Sequence, residues 1–277
     1  MNKRLRADMP PGADNPLNYA VALRDQSTLD MVADAIEHRQ TLLAYQPVMR
    51  TDQPDKVGFY EGLIRVLDPG GRVIPAAEFM PQIETTEIGR QIDVLALRHG
   101  LSALRDNPLL RLSINMSARS VGYRPWMNTL NRFLTADPGI GHRLILEVTE
   151  SSAMTMPELV TDFMERMQQR GICFALDDFG AGYTAIRYFK DFYFDMLKID
   201  GSFIRGIAND PDNQALTRAM VSIAHHFDML TVAECIENPD DAACVAEIGV
   251  DCLQGYYFAA PTTRPDWMRE TQMRAAG

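Results

Sequence analysis

Histidine and cysteine are scarce in this chain, five and four among 277 residues. The cysteines, Cys173, Cys235, Cys244 and Cys252, form no C-x-x-C pair, and no histidine falls at ligand spacing to them, which argues against zinc. Cys173 sits inside an apolar run, so reduced, buried thiols in a cytoplasmic protein are the expectation. No apolar run approaches the roughly 20 residues needed to cross a bilayer, so no membrane insertion is expected. The N-terminus, MNKRLRADMPPGADNP, is basic but lacks the apolar segment of a secretory leader, and residues 1–26 read as a flexible tail. Positive charge is short too: 27 Lys and Arg face 37 Asp and Glu, a net charge of −10. Such a chain does not draw polymeric nucleic acid through its overall field. A phosphate ligand would have to be met by bound cations or by a few placed basic side chains. What is present is an ordinary globular composition, 46% hydrophobic and 23% charged, with length for one large α/β domain.

Strand-like runs recur at Leu42–Val48, Phe59–Val66, Leu110–Asn115, Leu144–Val148, Cys173–Asp177, Met196–Asp200, Leu230–Glu234 and Cys252–Gln254. Helical patterns lie at Ser27–His38, with Ser27 as its N-cap, and at Gln91–Arg105, Pro157–Gln169, Gln214–His226 and Pro239–Ile248, the last with Asn238 placed as its cap. This alternation predicts an α/β fold, a (β/α)8 TIM-like barrel, over residues 27–277 as a single domain. Only Met49–Lys56 separates the first two runs, too short for a crossover helix, so the first strand is expected to be antiparallel.

Polar residues gather at the ends of these runs: Glu61, Asn115, Glu147 then Glu150, the pair Asp177 and Asp178, Lys198, Glu234 then Glu237, and Gln254. In barrels, side chains at C-terminal strand ends converge on one site. The aspartate pair in CFALDDFGAGY is ambiguous by itself. Asp178 can cap a helix behind a glycine turn, or the two carboxylates can share a proton or hold a cation. Each neighbour also has a plain reading: Lys198 as an ion pair with Asp200, Glu150 and Glu237 as helix-dipole partners, Asn115 as an Asx-turn. Taken together, an all-oxygen donor set without histidine or thiolate favours magnesium or manganese. Two such ions roughly 4 Å apart suit in-line attack of water on a phosphodiester, with Lys198 orienting that water.

From Leu42 to Pro261 the chain resembles the EAL-domain phosphodiesterases of bacterial cyclic di-GMP signalling. The motifs that carry the likeness are YQPV, YEGLIRV, NMS, LEVTES, DDFGAGY, LKID, AECIE and LQGYYF, in the family's order. The resemblance implies a barrel with an antiparallel first strand and hydrolysis of cyclic di-GMP to linear pGpG with two Mg2+ or Mn2+ ions. It implies Glu61, Asn115, Glu147 and Asp177 as ligands of one ion, and Asp177, Asp178 and a glutamate of AECIE, here Glu237, as ligands of the other. It further implies Lys198, Glu234 and Asp178 as catalytic groups, Glu150 as support for the DDFGAGY loop, and Gln46, Leu63, Arg65 and Gln254 as substrate contacts. Dimerisation of relatives around the sixth strand points to IRYFKDFYFD, with Tyr188 and Phe192, as a homodimer surface.

The chain departs from the family pattern at Gly62 for alanine, where the lost methyl is expected to loosen the strand, at Ala181 for threonine, at Cys235 for glycine, and at Glu87, which looks peripheral. A relative that binds cyclic di-GMP without cleaving it is the rival reading. A glycosidase fits poorly, because adjacent aspartates do not flank a sugar and only two tryptophans are available for stacking. A Schiff-base enzyme on Lys198 fits poorly as well, because the acidic neighbours hold the amine charged.

Overall fold

The computed structural model describes residues 16–182, 189–190 and 192–268. Contacts along the chain divide it into two compact units, Met1–Thr41 with Arg65–Ile92, and Leu42–Ile64 with Asp93–Gly277.

The first unit holds helix α1 (Pro16–Glu37), the closing residues of β2 (Val57–Leu67), β3 (Val73–Pro75), the short α2 (Met80–Ile83) and the start of α3 (Glu87–Asp106). Helix α1 begins well before the expected cap at Ser27, so 16–26 is helix rather than tail. Proline is well placed at a helix's first position, and Ser27 lies mid-helix between the local bonds Thr28 Oγ1 to Arg24 O (3.1 Å) and Gln26 Nε2 to Asp30 Oδ1 (2.8 Å). The β2–β3 pair is antiparallel, with Arg65 opposite Pro75, and its turn is closed by Asp68 Oδ1 accepting from Gly70 N and Arg72 N, each at 2.9 Å. Val32, Ala35, Phe79 and Ile83 are fully buried. Glu87 pairs with Arg90 across one helical turn, at 3.5 Å.

The second unit is the barrel. Its further strands are β1 (Thr41–Arg50), β4 (Leu112–Asn115), β5 (Leu144–Thr149), β6 (Cys173–Phe179), β7 (Met196–Ile199), β8 (Leu230–Ala233) and β9 (Cys252–Leu253). They pair in the order β1-β9-β8-β7-β6-β5-β4-β2, and β1 also pairs with β2, which closes the ring. Strand β1 runs antiparallel to β9 while the pairs from β2–β4 round to β8–β9 are parallel, so the short first connection has the consequence the sequence predicted. Alternation divides each strand between two surroundings. On β6, Phe174 and Leu176 face outward and are fully buried, because helices cover the sheet. Phe174 meets Phe163 of α6 (Pro157–Gln168) edge-on at 5.8 Å, and Phe163 meets Trp126 of α4 (Arg124–Ala136) at 5.7 Å. Helix α4 had no counterpart among the expected helices, although Trp126, Leu130, Phe133 and Leu134 keep helical spacing and are buried.

Inside the ring, Val48, Phe59, Ile145, Ala175 and Val232 form one apolar cluster, with Cys173, Met196 and Cys252 packed on it. Nearly every functional candidate lies two residues from a member of this layer. Glu61, Glu147, Asp177, Lys198, Glu234 and Gln254 follow Phe59, Ile145, Ala175, Met196, Val232 and Cys252. Gln46 precedes Val48, because β1 runs the other way. A two-residue step on a strand keeps the same face and moves one layer up. The apolar cluster is therefore the floor on which the polar layer stands.

Candidate catalytic and metal-binding site

Lys198 stands at the centre of the polar layer, 1% exposed, with four carboxylates around its ammonium. Nζ lies 2.8 Å from Glu234 Oε1, 2.9 Å from Glu147 Oε2, 3.0 Å from Asp177 Oδ1 and 3.7 Å from Glu61 Oε2. Burial by itself would drive this lysine towards neutrality, but the surrounding anions outweigh it and hold its pKa well above the usual lysine range. Asp200 is not its partner; its Oδ1 instead accepts from Ser202 N at 3.0 Å and caps α7 (Gly201–Ile204).

The carboxylates respond differently to the crowding. Burial would raise Glu61, but Lys198 and the amides of Gln254 and Asn115 more than compensate, and its pKa falls below the ordinary value. Gln254 Nε2 donates to Glu61 Oε2 at 2.6 Å and Asn115 Nδ2 to Glu61 Oε1 at 2.8 Å, which leaves the Asn115 carbonyl oxygen available as a ligand atom. Gln254 Nε2 also reaches Gln46 Oε1 at 3.1 Å, and Gln46 Nε2 donates to Ala259 O. The two glutamines thus brace Glu61. Burial, reinforced by the charge of Glu61, raises Glu147 well above the normal carboxylate range. Burial pushes Glu234 up to about 8, and burial followed by the Asp177 charge pushes Asp178 up to about 6.

Adjacent residues on a strand point to opposite faces, so Asp177 and Asp178 need a device to reach one place. The β6–β7 register shifts between Leu176 and Phe179, and Asp178 adopts φ +55°, a left-handed conformation rare for a residue with a side chain. Ligand atoms of Asp177, Asp178 and Glu234 consequently lie within 4.8 Å of one another. Backbone strain at a carboxylate cluster is a recurring mark of a working site.

Glu237 does not join that group. It is more than half exposed, and its Oε1 lies 3.6 Å from Arg205 Nε, so the AECIE glutamate brought to the cluster is Glu234. Glu150 heads α5 (Glu150–Thr155), is buried, and its Oε2 accepts from Gly180 N at 3.3 Å in the turn after the aspartates. Beside them a cavity of about 370 Å³ is lined by Glu150, Ser151, Met154, Asp178, Ala181 and Gly182. Leu63 is half-buried on β2, and Arg65 belongs to the first unit. At Gly62 the place a methyl would occupy is taken by Ile114, whose Cδ1 would stand 2.6 Å from a Cβ there. Phe192 is buried and packs on Phe194, so it is a core residue; Tyr188 lies outside the described residues. A positioning contact the sequence did not suggest is buried Asp93 on α3, whose Oδ2 accepts from Ser120 Oγ at 2.6 Å and Ser117 N at 3.1 Å. It holds the turn behind Asn115.

The donor set consists of carboxylates and one amide oxygen, with neither histidine nor thiolate in the ring. Glu147 Oε1 is buried without a hydrogen-bond partner among the described residues. Hard oxygen ligands of this kind, once their protons are displaced, fit a divalent cation such as magnesium or manganese better than zinc or copper.

Known proteins resemble the chain over most of its length. The chain is 30% identical over 257 residues to the cyclic di-GMP phosphodiesterase PdeF of Escherichia coli, covering 90% of this chain and 34% of that protein. It is 27% identical to the cyclic di-GMP phosphodiesterase PdeB of Shewanella oneidensis, covering 88% of this chain and 29% of PdeB. It thus spans about a third of the length of these relatives. The solved structure of the PaMucR phosphodiesterase in complex with c-di-GMP superposes with a TM-score of 0.74 at 28% identity, over 85% of this chain and 97% of that one. The EAL domain family model matches residues 29–261, through both floor and polar layer, and the chain belongs to the EAL domain family.

Proposed function

We propose that the chain hydrolyses cyclic di-GMP to linear pGpG, using two Mg2+ or Mn2+ ions. The observation that carries this reading is the convergence of Glu61, Asn115, Glu147, Asp177, Asp178 and Glu234 around Lys198 at one end of the barrel, none of them replaced or turned away. Glu61, Asn115, Glu147 and Asp177 would hold one ion, and Asp177, Asp178 and Glu234 the other. When bound, such ions activate water for in-line attack and offset charge on the phosphoryl oxygens.

The protein's own groups supply the rest. Lys198 keeps its proton, so its ammonium orients the attacking water and steadies negative charge that develops on the phosphoryl group. Glu234 Oε1, 2.8 Å from Lys198 Nζ, holds that ammonium in place beside the ligands of the second ion. Gln46 and Gln254 keep Glu61 aimed at the centre. Glu150 restrains the turn after Asp178. PdeF and PdeB are cyclic di-GMP phosphodiesterases by name, and PaMucR is seen with that ligand. These relatives support the choice of substrate.

Purified protein incubated with cyclic di-GMP and Mn2+ or Mg2+ should yield pGpG, resolved by chromatography, and a chelator should stop the reaction. Tight binding of cyclic di-GMP with no pGpG formed would reject the phosphodiesterase reading in favour of a receptor.

A further inference from the structure

The segments that follow β7 and β8 carry a linkage that the functional reading does not use. Cys235, the residue after Glu234, has φ +57°, in the left-handed region that favours glycine. The conformation of this residue sets the path of the turn that leads on from Glu234. One side chain bonds it and a glycine makes room for it. Arg205 Nη2 donates to Cys235 Sγ at 3.0 Å. Arg205 Nε lies 3.6 Å from Glu237 Oε1, on the far side of the same turn. Gly201 supplies the space: a Cβ there would stand 2.5 Å from Cys235 Sγ, 2.7 Å from its Cβ and 3.1 Å from Arg205 Nη1. Arg205 is anchored in turn, its N–H donating to Gly201 O at 3.0 Å at the end of α7. A second strap joins the same two segments, since Asp241 accepts from Gly206 N and Ala208 N at 3.0 Å each and heads the helix that follows Glu237.

We propose that Arg205 is a positioning residue: by gripping Cys235 and Glu237 together it fixes the 234–237 turn and so the aim of Glu234 at the cation centre. The proposal rests on the reading of that centre given above. It also explains Glu237's place outside the carboxylate group, since its role is to hold Arg205. The clamp is needed because residue 235 has a side chain. Glycine there would adopt the same φ without support, so the effect of removing Arg205 depends on the residue at 235.

A double-mutant cycle tests this on the full chain: wild type, Arg205→Ala, Cys235→Gly and the pair together. Mn2+ affinity is read by calorimetry without substrate, kcat and KM with cyclic di-GMP, and folding by thermal midpoint. Arg205→Ala should weaken Mn2+ binding and lower kcat by about tenfold, the size of effect typical of residues that orient metal ligands. KM and midpoint should barely change, because the side chain is largely exposed. In the Cys235→Gly background the same change should have no effect beyond about twofold. An equal loss in both backgrounds overturns the proposal. So does a loss confined to KM with Mn2+ affinity intact, which would make Arg205 a substrate contact. Should Arg205→Ala not fold, Arg205→Gln and Glu237→Gln carry the same test. A wild type that binds Mn2+ without cleaving cyclic di-GMP rejects the phosphodiesterase reading while the metal-affinity cycle still decides the clamp; one that binds no Mn2+ rejects both.

Discussion

Two layers of the same barrel, one residue pair apart on each strand, obey opposite rules. In the floor layer Phe59, Ile145, Ala175 and Val232 are apolar, and removal of their surface from water drives folding. In the layer above, Glu61, Glu147, Asp177 and Glu234 crowd around Lys198. Four carboxylates and one ammonium leave an excess of negative charge in a buried place, which costs stability unless protons or cations offset it. The floor can bear that cost because it is fully packed, and strand alternation places every costly group directly above a stabilising one. Function in this molecule is concentrated where folding energetics are unfavourable.

The comparison can be broken most directly at the centre of the upper layer. Replacing Lys198 by methionine keeps the volume and removes the charge. We expect kcat to fall by about 10²–10³-fold, the usual consequence of deleting a preorganised charge stabiliser. Loss of less than about tenfold in steady-state assays would mean that Lys198 serves only to neutralise its neighbours. At the floor the expectation reverses. Phe59→Ala should cost about 3–5 kcal/mol of unfolding free energy in urea titrations. Turnover per folded molecule should stay within about twofold, and a larger drop would show that the two layers are not separable.

Gly62 sits between these extremes. A methyl there meets Ile114 Cδ1, so Gly62→Ala should destabilise the protein by about 1–3 kcal/mol. Ile114→Val, which deletes that Cδ1, should recover most of the loss in the double variant; strict additivity of the two changes would disprove the steric account. A further effect concerns protons. In the folded, metal-free protein Glu234 and Asp178 hold protons up to about 8 and about 6, whereas an unfolded chain releases them near the ordinary carboxylate value. The folded state therefore binds more protons across that window. Its stability falls as pH rises from about 4 to about 8, and bound cations must displace the protons. Mn2+ affinity should accordingly climb between pH 6 and 8, with calorimetric heats that depend on buffer ionisation. A flat affinity profile would contradict the assigned shifts.

Much of this was legible in the residues. Strand runs bounded by helical patterns predicted the barrel, and the short link Met49–Lys56 predicted the reversed first strand, because a chain that short has no room for a crossover. The polar residues at strand ends marked the site, because in a barrel those ends converge whatever the loops do. Helix α4 was equally readable from its spacing, though no helix was expected there. Ser27 misled because a good capping residue is also tolerated inside a helix when neighbouring side chains bond locally.

By itself, then, the sequence determined the fold class and the antiparallel first strand through local periodicity and link length, the roster of ligand-type residues through their chemistry, and the family through the motifs that resemble it. Only the tertiary structure decided which members of that roster meet. The β6 bulge turned Asp178 toward Asp177, Glu234 and not Glu237 joined them, Ile114 filled the space at Gly62, and Arg205 closed on Cys235. Each of these depends on atoms from segments far apart in the chain coming within a few ångströms, a relation that no local pattern encodes.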